Sequence, residues 1–203
     1  MDMQFGAADV RILSQSEAYK GHYAVRRVEL QYRCFDGNWS EPQAREIFDR
    51  GDAVGVLLWD PTADELVMLE QFRPGAMRDA DSPWMLELVA GVVEEGETDE
   101  AVARRESLEE ADLALQALEP IASFFPSAGA CSEQVRLFIA RVDSATAGGV
   151  HGCAQEGENI LVHRLSRSAV MAELAAGRIS NGHTLIALQW LQIHGAALRQ
   201  RWT

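Results

Sequence analysis

Three glutamates, Glu106, Glu109 and Glu110, lie close together in one short segment of the chain. In a helix they share one face, because residues spaced by three and four positions are neighbours on the helix surface. Their carboxylates repel one another unless arginines or cations lie between them, and hard oxygen ligands of this kind suit Mg²⁺ or Mn²⁺. Arg104 and Arg105 are adjacent. Taken alone, these residues favour the simpler interpretation of a solvated acidic helix face.

The residues upstream extend the cluster into a longer pattern with a defined spacing. Its positions are Gly91, Glu97, Arg105, Glu106, Glu109 and Glu110. The intervals reproduce the Nudix box, G-x5-E-x7-R-E-U-x-E-E-x-G-U, in which U is apolar. Six defined positions match, and at about 6% usage per residue type a chance match is expected roughly once in 10⁷ windows. The segment is therefore identified as a Nudix box.

Two positions depart from the box, and neither is a metal-binding carboxylate. Ser107 occupies a usually apolar position, and Asp112 replaces the glycine near the end of the helix. Glycine there would ease a left-handed turn, and aspartate tolerates that conformation better than most residues. We therefore expect the chemistry to survive both changes.

The resemblance extends beyond the box to the bacterial ADP-ribose pyrophosphatases and covers residues 9–202. The similar segments are 45–48, 71–73, 84–91, 132–133, 156–158 and 186–191. The resemblance implies hydrolysis of ADP-ribose to AMP and ribose 5-phosphate, with Mg²⁺ or possibly Mn²⁺ as cofactor. The implied metal positions are the backbone oxygen of Ala90 and the carboxylates of Glu106, Glu109, Glu110 and Glu158. The implied catalytic positions are Glu156 as general base on a late loop, Glu106 and Arg105.

The same resemblance implies a homodimer in which the N-terminal β unit of the partner contributes to substrate binding. The matching positions are His22, Tyr23, Arg45, Glu46, Arg50, Arg73, Val92, Ser127, Ala128, Gly129 and Glu133. Relatives that act on ADP-ribose often carry a proline at the position of Ala128, which makes ADP-ribose a less secure substrate than hydrolysis itself. Two alternatives stay open: a hydrolase of another nucleoside diphosphate sugar such as GDP-mannose, and a binding module that senses ADP-ribose without cleaving it.

Composition excludes several other classes of protein. The chain has 203 residues and a formal net charge of −13, which disfavours nucleic acid as a partner. No apolar run is long enough to span a membrane, and the N-terminus does not resemble a signal peptide. Three widely spaced cysteines fit neither a disulfide framework nor a zinc site, so we expect a cytoplasmic location. Lys20 is the only lysine, which argues against a P-loop or a Schiff base and leaves phosphate binding to arginine.

The pattern of elements predicts an α/β (α+β) protein with the Nudix fold, a mixed sheet sandwiched between helices. Residues 1–48 are predicted to form a small antiparallel β unit, and 49–203 the hydrolase domain. Strands are predicted at 53–59, 66–72, 84–93, 118–125, 134–142 and 160–165. Helices are predicted at 99–111, with Thr98 as its cap and Asp99 and Glu100 in its first turn, at 167–176 and at 183–199. A glycine-rich loop is predicted at 144–159.

Overall fold

The structure is a computed structural model that describes residues 3–78 and 82–203, except for the side chain of Glu156. The chain divides into two compact units. The first comprises residues 1–52 and 125–134, and the second comprises residues 53–124 and 135–203. The predicted division into 1–48 and 49–203 stays a prediction. Among the described residues, no helix is long and apolar enough to cross a membrane.

The first unit contains a three-stranded antiparallel sheet. Its strands are β1 (Val10–Lys20), β2 (Ala24–Tyr32) and β3 (Gln43–Asp49), in the order β1-β2-β3. A turn at Asp36 and Gly37 lies between β2 and β3, and Gly37 has a φ of +87°, which glycine adopts without strain. Every residue of β1 is exposed. The second segment of this unit joins β3, because Phe48 N–H donates to the carbonyl of Ala130 at 2.8 Å.

The second unit is built on an eight-stranded mixed sheet. Its strands are β4 (Ala53–Asp60), β5 (Glu65–Phe72), β6 (Trp84–Glu87), β7 (Val89–Val92), β8 (Ala117–Phe124), β9 (Val135–Arg141), β10 (Gly149–His151) and β11 (Ile160–Ser166). The order is β10-β11-β5-β4-β9-β8, while β6 pairs with β5 and β7 pairs with β4. Within the described part of this sheet, β4 and β9 pair in parallel and the other neighbouring strands pair antiparallel.

Helices cover both faces of this sheet, as the sequence predicts. They are α1 (Asp99–Ala111), α2 (Arg167–Ala175) and α3 (Gly182–Trp202). One core contains Leu57 and Trp59 of β4 with residues of α2 and α3, and the other contains Val56 and Leu58 with residues of α1. All eight residues of β4 are buried, because successive side chains enter opposite cores.

The helix boundaries follow from local capping. Thr98 accepts a hydrogen bond from the N–H of Ala101 and begins α1, and Ser166 begins α2 by accepting from Ala169. Asp112 ends α1 with a φ of +52°, the left-handed conformation predicted for it. The third helix is longer than predicted at both ends, since Asn181 caps it at Thr184 and Trp202 packs in the core.

The predicted loop at 144–159 is wrong in part. It contains the short strand β10 and two 3₁₀ turns, Ser144–Thr146 and Ala154–Glu156. The strand forms because 149–151 pairs with the first residues of β11, a long-range contact that glycine-rich local sequence does not reveal. The predicted strand 84–93 is also divided, into β6 and β7, which pair with different neighbours.

Candidate active site

The end of β7 lies directly against α1. A Cβ atom added to Gly91 would overlap the carboxylate and the Cγ atom of Glu106. Gly91 has no positive φ, so the requirement for glycine here comes from space rather than from backbone conformation. The box glycine therefore allows the carboxylate of Glu106 to lie against the backbone of the strand.

Glu110 is the most buried of the three glutamates, with 2% of its surface exposed. Its Oε2 atom accepts a hydrogen bond from the backbone N–H of Ala90 at 3.0 Å. Burial raises the pKa of Glu110 to about 8; the hydrogen bond from Ala90 and the charge of Arg73 oppose the shift, and the charges of Glu106 and Glu158 add to it. The positive charge near this buried carboxyl group is therefore too small to keep its pKa at the ordinary value.

Glu106 has a similar environment, but the guanidinium of Arg105 lies closer to it. Burial raises its pKa, the guanidinium of Arg105 opposes the shift, and the charges of Glu109 and Glu158 reinforce it. Glu109 is the exposed member of the cluster. Glu106, Glu110 and Glu158 therefore form one electrostatically coupled group of carboxylates.

Arg105 connects the loop before α1 to this cluster. Its Nε and one terminal nitrogen donate to the two oxygens of Glu97, both at 3.0 Å. The other terminal nitrogen donates to Glu106 at 2.6 Å and to Glu109 at 3.1 Å. The bond to Glu97 and the charge of Glu106 raise the pKa of Arg105, while burial opposes them. This predicted catalytic residue orients two predicted metal ligands, and the box residue Glu97 in turn fixes Arg105.

The loop before β11 brings Glu158 back toward α1. The backbone N–H of Cys153 donates to Glu158 at 2.9 Å, and that of Gly152 donates to the carbonyl of Glu109 at 3.3 Å. Gly152 has a φ of +102°, and a Cβ atom there would lie 2.8 Å from that of Glu158, so only glycine suits this position. Glu156 ends the 3₁₀ turn Ala154–Glu156, and its side chain lies outside the described part of the structure.

The donor set suits a hard divalent cation, because the coupled groups of this cluster are carboxylates and the backbone carbonyl of Ala90 lies on the adjoining strand. Opposite charge within the cluster would relieve the repulsion that raises the pKa values of Glu106 and Glu110. Among the described residues, no three His, Cys, Asp or Glu side chains already form a closed coordination group.

Arg73 supplies positive charge near the cluster. Its Nε atom donates a hydrogen bond to Oε2 of Glu87 at 2.8 Å, and one terminal nitrogen lies 2.8 Å from the same oxygen as an ion pair. Burial alone would lower the pKa of Arg73, but Glu87 outweighs burial, and the charges of Glu110 and Glu158 add to the rise. Glu87 was not among the predicted site residues, although a single acid within the apolar run 84–93 is a signal for a buried ion pair.

Several predicted substrate residues meet within the first unit. The Nε atom of Arg50 lies 3.5 Å from a carboxylate oxygen of Glu133. Its guanidinium carbon lies 5.6 Å from the ring centre of Tyr23, which also packs against His22. Burial raises the pKa of Glu133; Arg50 opposes this shift, and Asp52 adds to it. Arg50, Tyr23 and Glu133 therefore form one polar group, with a largely buried acid at its centre.

The remaining predicted substrate residues occupy exposed strand and turn positions. Arg45 and Glu46 lie on β3 opposite Val28 and Arg27. Ser127 begins a turn, since its carbonyl accepts from the N–H groups of Ala130 and Cys131. Ala128 and Gly129 are exposed within that turn. Val92 ends β7 in the second unit, where its carbonyl lies 3.4 Å from a nitrogen of Arg105.

Comparison with known proteins places this arrangement in a family. The NUDIX domain model matches residues 49–181. The ADP-ribose pyrophosphatase of Escherichia coli (strain K12) is 42% identical over 202 residues, covering 100% of this chain and 97% of that protein. The GDP-mannose pyrophosphatase of Cronobacter sakazakii is 28% identical and covers 92% of this chain and 97% of its own length.

A solved structure described as an ADP compounds hydrolase shares the fold with a TM-score of 0.67. It is 18% identical in sequence and covers 92% of this chain and 96% of its own. The predicted mixed sheet between helices is thereby confirmed as the Nudix fold. Members of this family generally use divalent metal ions. With the box residues, the full-length similarity and the fold in agreement, the chain belongs to the NUDIX domain family and is a Nudix hydrolase.

Proposed function

We propose that the protein hydrolyses the diphosphate bond of ADP-ribose to AMP and ribose 5-phosphate, with Mg²⁺ as the cofactor and Mn²⁺ as a possible substitute. The observation that carries the proposal is the pair of interacting carboxylates formed by the buried Glu110 and the partly buried Glu106, of which Glu106 lies against the backbone at Gly91. Such a group repels a diphosphate by itself and attracts one through a divalent cation. The proposed ligands are Ala90 (backbone oxygen), Glu106, Glu109, Glu110 and Glu158.

The protein's own residues prepare this site. Arg105 holds Glu106 and Glu109 from one side, and the N–H of Ala90 holds Glu110 from the other. Arg73 offers a guanidinium to the anionic substrate. When bound, Mg²⁺ supplies Lewis-acid polarisation of the phosphoryl group and acidifies a water molecule. Glu156, on the loop before β11, accepts the proton of the attacking water in this proposal.

ADP-ribose is the favoured substrate because the relative with full-length similarity at 42% identity is an ADP-ribose pyrophosphatase. The GDP-mannose pyrophosphatase relative supports the alternative of another nucleoside diphosphate sugar. The predicted contacts in the first unit, including Arg50, Tyr23 and Glu133, stay predictions for the base and the sugars. The box glutamates Glu106, Glu109 and Glu110 are all present, which counts against a sensor that binds ADP-ribose without cleaving it.

We also propose that the protein is a homodimer. Support comes from β1, an edge strand with every residue exposed, which includes Ile12 at 64% and Tyr19 at 63%. Exposed apolar edge strands favour association with another chain. Light scattering at micromolar concentration should give about twice the mass of 22.4 kDa; a monomer mass would contradict this part of the proposal. The cytoplasmic location predicted from the cysteines stays a proposal.

The substrate assignment is tested by incubating the protein and MgCl₂ with ADP-ribose, GDP-mannose and other nucleotide sugars, with products separated by chromatography. We expect AMP and ribose 5-phosphate to form fastest from ADP-ribose and to disappear in Glu106→Gln. Faster cleavage of GDP-mannose would keep the chemistry and change the substrate. Binding of ADP-ribose by the wild type without any cleavage would replace the hydrolase with a sensor.

A further inference from the structure

Glu87 is a nearly buried acid in a short strand of otherwise apolar residues. It ends β6, and 3% of its surface is exposed. A buried carboxylate is costly unless it is paired and hydrogen-bonded. Glu87 meets this condition with both oxygens: Oε2 accepts from Arg73, and Oε1 accepts from the Nδ2 group of Asn181 at 2.9 Å.

Asn181 is itself fixed by the first turn of α3. Its Oδ1 atom accepts hydrogen bonds from the backbone N–H and the hydroxyl of Thr184, both at 3.0 Å. The same hydroxyl accepts from the backbone N–H of Leu88 at 3.0 Å. Thr184 is fully buried. The start of α3 is therefore bonded to the β6–β7 segment at two adjacent points, and the side chain of Glu87 has little freedom to turn.

Because Glu87 is fixed, the guanidinium of Arg73 that bonds it is also fixed in orientation. A guanidinium has five N–H donors in a rigid plane, and the two nitrogens that bond Glu87 set the orientation of that plane. The side chain of Arg73 remains 39% exposed. Glu110 and Glu158 are close enough to act on it electrostatically, yet among the described residues no ion pair joins it to either. The guanidinium of Arg73 is thus fixed by Glu87, stays partly exposed, and is near enough to the carboxylate cluster for its charges to act on it.

We propose that Glu87, held in turn by Asn181, is a positioning residue that fixes the guanidinium of Arg73 for binding the diphosphate of the substrate. The inference rests on the proposed function, because it takes a diphosphate to be the ligand. Guanidinium groups bind phosphate through paired, directional hydrogen bonds, so their strength depends on the orientation of the plane. Glu87 acts on substrate binding only through Arg73.

A merely structural role for Glu87, joining α3 to the sheet, predicts a different result. Loss of Glu87 would then lower the stability of the protein whether or not Arg73 is present, and it would not act selectively on substrate affinity. A double-mutant cycle separates the two roles, since it measures whether the effect of one residue depends on the other.

The test compares wild type, Glu87→Gln, Arg73→Met and the double variant. Three quantities are measured with MgCl₂ present: KM and kcat for ADP-ribose, and the Kd of the ADP-ribose analogue whose bridging oxygen is replaced by methylene. Glu87→Gln preserves the shape but removes the charge and presents an N–H to Asn181. We expect KM and Kd to rise about tenfold in each single variant. Their kcat should fall much less, and the double variant should be no weaker than Arg73→Met.

Two further variants keep the test decisive. Asn181→Ser retains an oxygen that can cap α3 but removes the group that bonds Glu87, so it should raise KM in the same direction while the helix persists. Glu119→Gln is the matched control: Glu119 bonds Trp202 and Arg201 at the other end of α3, and its loss should leave KM unchanged.

The proposal is overturned if Glu87→Gln and Asn181→Ser both fold and bind the analogue like wild type. It is also overturned if Glu87→Gln weakens binding by the same factor in the presence and absence of Arg73. A wild type that neither cleaves nucleotide sugars nor binds the analogue would overturn the proposed function and this inference with it. That result differs from the other two, in which the wild type is active.

Discussion

Gly91→Ala is the substitution whose effect on the site can be worked out most fully from the structure. The backbone accepts alanine, since Gly91 has no positive φ, but the new Cβ would overlap the Glu106 carboxylate. The carboxylate must move by more than 1 Å to restore an ordinary contact of about 3.5 Å. Displacement on this scale costs about a hundredfold in rate, and overpacking destabilises a fold by about 1–3 kcal/mol.

The assay follows two quantities in parallel: the rate of ADP-ribose hydrolysis, and the rise in melting temperature on adding MgCl₂. A bound ion stabilises the folded state according to its concentration relative to Kd, so a displaced ligand reduces the rise. Gly75→Ala is the matched control, because a Cβ there meets nothing within 4 Å and the φ is not positive. Wild-type rate and wild-type response to MgCl₂ in Gly91→Ala would refute the placement of Glu106 at the metal.

Three other predictions concern the cap of α1, a buried aspartate and the proposed general base. Thr98→Ala removes the cap of α1 and should lower the free energy of unfolding by about 1 kcal/mol in urea titrations, and no change would mean that the cap contributes nothing. Burial favours a raised pKa for Asp60, but its hydrogen bonds from Ala63, Ser144 and Thr62 outweigh burial and lower the pKa below 3.8. A lowered folded-state pKa gives stability that is present well above pH 4 and lost as the pH falls through and below it. Asp60→Asn should therefore cost about 1–3 kcal/mol at pH 7 and progressively less toward pH 3, and equal costs at both pH values would contradict this. Glu156→Gln should lower kcat by at least about a hundredfold while MgCl₂ still raises the melting temperature, and a near-normal kcat would assign the base elsewhere.

Much of the second unit is predictable from sequence because its signals are local. The box glycine, the capping Thr98 and the left-handed Asp112 each occupy the structural position that their residue types predict. Ser107 departs from the box pattern, and only the structure explains it. The residue is fully buried, and its hydroxyl donates to the carbonyl of Ala103 at 2.7 Å, which satisfies the polar group within the helix itself.

The features that sequence could not supply depend on contacts between distant residues. Asn181 meets Glu87 across 94 positions, so no local pattern relates them. The strand β10 exists only because it pairs with β11, and its glycine-rich sequence resembles a loop. The run 84–93 has the composition of one strand, and its division reflects pairing with two different neighbours. In these two strand segments, pairing with distant strands overrides the local propensity of the sequence.

The proposed function requires that the carboxylates of α1 bind the cation that drives hydrolysis of ADP-ribose. Its most direct test measures the MgCl₂-dependent release of AMP and ribose 5-phosphate by wild type and by Glu110→Gln. Glutamine still offers an oxygen to the N–H of Ala90, so the variant should fold while losing the ionisable group that would bind the cation. We expect rapid release of both products by wild type and a rate lower by about a hundredfold or more in the variant. Equal rates for the two proteins, or no MgCl₂ dependence in the wild type, would contradict it.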